Sequence, residues 1–179
     1  MDNLYMPIDE IRNQIRFNCG YLWNNNHTTN CYAYALGIDI PEEEIIIKAY
    51  QPGTIGSIIF NIKPNELENM SLEEKVYADL EALNISYNEC DQSEISCYDF
   101  DKDFITNQWI IALFSGNKDD WDFHFMRKSL NNIWWHKRGY SFSKPSNFDD
   151  NFETIYNPQE CKLYDYNYVK CLKLNCKLK

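Results

Sequence analysis

The sequence predicts an α+β fold in one domain spanning residues 1–179. Three observations carry this expectation. Apolar residues recur at helical spacing before residue 85, apolar runs of strand type dominate after residue 107, and no Gly, Ser or Pro-rich linker separates the two regions. With 44% hydrophobic and 16% aromatic residues the chain can fill a sizeable core, and no cofactor is needed as a staple.

The helical part comes first. Leu4, Ile8, Ile11 and Ile15 recur at spacings of three and four and predict an amphipathic helix over 4–16. Thr28-Thr29-Asn30 offers three N-cap residues before Cys31, and a run without breakers ends at Gly37. A helix beginning near Cys31 fits, yet Tyr32, Tyr34 and Leu36 also alternate as in a strand. Pro41-Glu42-Glu43-Glu44 reads as a surface turn before the β-branched run Ile45–Ile47, and Pro52-Gly53 marks a second turn. Ser57–Ile62 is expected to be a short strand stopped by Pro64. Ser71-Leu72-Glu73-Glu74 matches a capping box, with Leu72, Val76, Leu80 and Leu83 on one helical face.

The strand part follows. Ile85–Asn88 is a candidate short strand, and Glu89–Asp103 is acidic and loop-like. Gln108–Phe114 is almost unbroken apolar sequence, the pattern of a strand buried on both faces. Asp122–Lys128 and Ile133–Lys137 predict a hairpin, and Tyr164–Leu174 a final strand.

Charge and cysteine usage bound the function. A net charge of −10 disfavours nucleic acid and anionic membranes, and points to a basic or neutral partner. Lys137-Arg138 and the lysine-bearing tail run against this average. Neither a basic and apolar leader nor a run of 18 apolar residues occurs, so a cytoplasmic protein is expected, with non-classical export as the alternative. The seven cysteines form no CxxC pair and are expected to be reduced thiols.

Chemistry concentrates on three residues. A cysteine in a helix's first turn lies beside unpaired N–H groups that favour a thiolate and can hold an oxyanion. A histidine must take the thiol proton and return it to a leaving amine, and a third group must fix that histidine's tautomer. His124 and His136 lie in the predicted hairpin. They oppose one another if paired residue numbers sum to 260, as with the three-residue loop Ser129-Leu130-Asn131; Asp122 is the alternative orienting group. Trp121, Trp134 and Trp135 line either a substrate groove or the core.

A cysteine after a polar residue at a helix start, a strand histidine far downstream and a second histidine twelve residues later resemble the NlpC/P60 branch of the papain-like superfamily. Asn30-Cys31, His124-Phe125-Met126 and His136 match its motif positions, although Tyr32-Ala33 stands where typical members have Ser-Gly. A closer likeness is to proteins with an Asn-Cys-Tyr-Ala-Tyr-Ala-Leu stretch, a Pro-Gly turn, an aromatic-flanked histidine and a Trp-x-His-Lys-x-Gly ending.

The resemblance implies a papain-like fold, a Cys-bearing helix packed on an antiparallel sheet, with residues 40–106 as an insertion. It implies a cysteine peptidase or amidase with Cys31 as nucleophile, His124 as base then acid, and His136 as third member. The Cys31 N–H would hold the oxyanion, with Asn25 or Tyr21 as second donor. A peptide, isopeptide or side-chain amide is the expected substrate, with no cofactor and no metal. Two other readings stand beside it: a zinc module built from Cys31, His124, His136 and another cysteine, and an inactive papain-like binding or inhibitor protein.

Overall fold

The computed structural model describes residues 29–38, 51–91, 108–118, 122–128, 132–139 and 144–176. The expected 4–16 helix and the Ile45–Ile47 run lie outside the described residues. What is described is a mixed α+β structure: short helices on one face of a five-stranded antiparallel sheet.

Helix α1 (Cys31–Leu36) starts where its cap demands. The Asn30 side-chain oxygen accepts the Ala33 N–H at 2.7 Å, and Gly37 closes the helix at φ 81°. All six residues are buried, which explains why their pattern fitted helix and strand equally: no exposed face selects a period.

Helix α2 (Thr54–Phe60) replaces the strand expected over Ser57–Ile62. Its β-branched Ile58 and Ile59 suggested a strand, but a distant carboxylate decides the matter. Asp79 accepts the N–H groups of Gly53 and Gly56, each at 2.7 Å, and so caps the helix from outside its own sequence. Pro64 opens a further helix, α3 (Pro64–Asn69), as its first residue, where its missing N–H costs nothing. Helix α4 (Leu72–Ala82) begins with the expected capping box: Ser71 Oγ accepts the Glu74 N–H, and the Glu74 carboxylate accepts the Ser71 N–H at 2.6 Å.

The strands are β1 (Ile85–Cys90), β2 (Gln108–Gly116), β3 (Phe123–Lys128), β4 (Trp134–His136) and β5 (Tyr166–Cys176), in the order β1-β5-β2-β3-β4. As expected, β2 is buried on both faces, because alternate residues feed two cores. Trp109, Ile111 and Leu113 meet the helices, joined by Phe125, Leu172, Tyr32 and Leu80. Ile110, Ala112 and Phe114 look the other way, toward Met126, Trp134 and Cys171, under Ile155 and Leu163 from the 144–165 loop. The stretch 54–90, inside the expected insertion, contributes to the helix-side core and supplies an edge strand of the sheet.

That loop is built around Asp149. Its carboxylate accepts backbone N–H groups from Asn151, Glu153 and Lys162 at 2.9–3.0 Å, fixing an irregular segment against the second core. Among the described residues no helix is long and apolar enough to cross a membrane.

Candidate active site

The two histidines come together, though not through direct opposition. In the observed register His136 opposes Met126 and the paired numbers sum to 262, so the expected sum of 260 is corrected. His124 sits one pair along on the same face, a diagonal neighbour still within reach of a long side chain. The ring centroids are 4.9 Å apart, and His124 Nε2 lies 2.7 Å from His136 Nδ1.

The protons of this pair are set from one end. His136 Nε2 is 2.9 Å from the Phe148 carbonyl oxygen, which can only accept, so His136 carries its proton on Nε2. Its Nδ1 is therefore bare and accepts from His124 Nε2–H. The remaining nitrogen, His124 Nδ1, carries the lone pair and makes no hydrogen bond among the described residues. Burial first, then the Arg138 charge, and for His124 also His136, keep both rings below the ordinary histidine range, although the Phe148 carbonyl opposes the shift at His136. The dyad is thus neutral, with one free basic nitrogen.

Cys31 reaches the same strand from its edge. Both backbone groups of His136 bond Ser146 at 2.8 Å, so the Met126–His136 pair is the type without mutual hydrogen bonds. By alternation Phe123 and Phe125 turn their backbone groups toward the β4 side, just past the end of β4. The Cys31 sulfur occupies this fork. Sγ is 4.0 Å from the Phe123 carbonyl oxygen, the Phe125 and Tyr32 N–H groups face it, and the Tyr32 ring packs on Phe125 at 4.7 Å. Backbone on either side of His124 is therefore what the thiol touches; the imidazole stands on the second-core face with Phe114 and Met126, bonded to His136, and no hydrogen bond joins it to Cys31.

Electrostatics leave the thiol protonated. Burial pushes Cys31 up to about 12; those two backbone N–H groups and the Lys137 charge oppose the shift, and Asp122 adds to it. The Cys31 N–H has no hydrogen-bond partner among the described residues, as expected for a first-turn donor.

The remaining expected residues divide. Tyr21, Asn25 and Trp121 lie outside the described residues. Of its two alternatives Trp134 takes the core: it is fully buried in the cluster that holds Met126 and Ile110. Trp135 is half-buried on the opposite face of β4. Asp122 orients neither His124 nor His136; it accepts the Phe123 N–H at 2.8 Å and is hydrogen-bonded to the Tyr166 hydroxyl. Among the described residues no three His, Cys, Asp or Glu side chains are grouped to hold a metal ion.

Two features had no local signal in the sequence. Tyr166 packs its ring 5.1 Å from His124, tilted by 32°. A cleft of about 590 Å³ runs from Pro52 past Glu68, Leu72 and Glu74 to Asp122 and Phe123, the residue whose carbonyl touches Cys31. Comparison with protein-family models, curated proteins and solved structures finds no match.

Proposed function

We propose that the protein is a cysteine-dependent hydrolase of papain-like, NlpC/P60-like type, acting on a peptide, isopeptide or side-chain amide. The observation that carries this reading is the proton order of the histidine pair: the Phe148 carbonyl fixes His136, His136 fixes His124, and His124 Nδ1 is left as a base. Cys31, against the backbone flanking that base, is the nucleophile.

With a thiol near 12 and a neutral imidazole, no thiolate–imidazolium pair exists at rest. Proton transfer to His124 Nδ1, which requires the sulfur to leave its backbone fork and come within reach of the ring, accompanies attack: the S–C bond forms, the carbonyl π pair moves to oxygen, and the Cys31 N–H donates to the oxyanion. Collapse expels the amine, which takes the proton from His124. Water then attacks the thioester, with His124 again as base and the Cys31 thiol as leaving group. The cleft beside Phe123 is the acyl-donor site in this scheme; Glu68, Glu74 and Asp122 outnumber Lys75 there and favour a neutral or cationic substrate. A cytoplasmic place of action belongs to the same proposal.

A second reading, an inactive binding protein on the same scaffold, draws on the protonated sulfur and its bond to a carbonyl rather than an imidazole. One experiment separates them. A cysteine-directed electrophile is applied to the native chain, to Cys31→Ala and to His124→Ala, and modified thiols are mapped by mass spectrometry. Preferential modification of Cys31, slowed about 10²-fold or more by His124→Ala, supports the hydrolase. Labelling of Cys31 no faster than of the other buried thiols, and unchanged in His124→Ala, supports the inactive scaffold.

A further inference from the structure

Two thiols face each other across neighbouring strands, far from the histidine pair along the same face of the sheet. Cys90 ends β1, and Cys171 is its register partner on β5. Neither is in a disulfide, and both are buried in the second core. Alternation carried across the sheet from the Met126–His136 pair makes Cys90–Cys171 a mutually hydrogen-bonded pair, with Cα atoms about 5.5 Å apart, inside the roughly 4.4–6.8 Å window of a disulfide. Their Cβ atoms, at the wide end of about 4.5–5.5 Å, need to close by roughly 1–2 Å. The strand that must give is the one best placed to do so: among the described residues β1 is an edge strand, paired only with β5.

We propose that Cys90 and Cys171 form a dithiol site that takes a low-molecular-weight disulfide and becomes a cross-strand disulfide stapling β1 to β5. Cys90 is the entry point, at the end of the edge strand and 8% exposed against 0% for Cys171. Its thiolate attacks one sulfur of the reagent, forming a mixed disulfide and releasing one thiolate. The Cys171 thiol loses its proton to solvent and attacks the Cys90 sulfur, displacing the second thiolate. Two protein thiols are oxidised and one reagent disulfide is reduced to two thiols.

The test uses the full chain and oxidised glutathione. After incubation, remaining thiols are alkylated under denaturing conditions and peptides are mapped. The expected result is a Cys90–Cys171 linkage with loss of two alkylatable thiols, together with a rise in Tm of roughly 5–10 °C that reductant reverses. Cys90→Ser and, separately, Cys171→Ala abolish both the linkage and the shift. Full alkylation of Cys90 and Cys171 after oxidation, arrest at a Cys90–glutathione adduct, or linkage through other cysteines overturns the proposal. None of these outcomes depends on the hydrolase reading.

Discussion

His124 has a defined proton because a backbone oxygen twelve residues beyond its partner leaves no other choice. The histidine pair was legible in the sequence, since alternation puts both on one face of a hairpin; the register was not, because Ser129-Leu130-Asn131-Asn132 carries no turn signature strong enough to choose the loop length. Nor was the Phe148 carbonyl legible, as backbone acceptors leave no mark in side-chain pattern. Both imidazoles have folded-state pKa values below the unfolded one, so the unfolded chain takes up their protons first as pH falls, and stability is lost below about 6.5.

Asp79 works in the opposite sense. Burial raises it from 3.8 to about 6 despite the donors around it, so ionisation costs the fold about 3 kcal/mol above pH 6 and the cost is relieved on acidification. Thermal unfolding between pH 7 and 5 checks both. His136→Asn, which keeps an acceptor for His124, flattens the loss of Tm; Asp79→Asn steepens it, since the counterweight is gone. Slopes equal to the native chain's in both variants contradict these assignments.

At the scale of elements, the helix with a strong local start signal was legible without ambiguity. Ser71 and Glu74 cap α4 within its own sequence, and Ser71→Ala is expected to cost about 1 kcal/mol in urea denaturation. Helix α2 escaped because its cap, Asp79, is more than twenty residues away in the chain, while Ile58, Ile59 and Phe60 are largely exposed and show no helical face. The same two helices touch closely at Gly56, where an added Cβ meets the Ala78 backbone at 2.7 Å. Gly56→Ala therefore forces α2 off α4, with an expected loss of about 1–3 kcal/mol and an unchanged m-value. Stability equal to the native chain's shows that the helices separate without cost.

For the molecule as a whole, the sequence conveyed the two-sided burial of β2 but not what covers its second face. Ile155 and Leu163 come from an irregular segment whose Ser, Asn and Asp content reads as solvent-exposed loop, and only the Asp149 hydrogen bonds convert it into a core layer. Native-state hydrogen exchange is expected to follow this layering. Amides of Ile110–Leu113 on β2, flanked by β5 and β3 and buried on both faces, exchange only through global unfolding, whereas β1 opens at lower free energy. Equal protection of β1 and β2 contradicts that order.

The strand order β1-β5-β2 has a consequence for biosynthesis. The strand that joins β1 to β2 leaves the ribosome last of the five, so both wait with an open edge and an uncovered apolar face until residue 176 has emerged. Nascent chains stopped before Tyr166 have no means of closing the sheet and become clients for chaperones, and the folding rate inherits the entropy of closing loops that long.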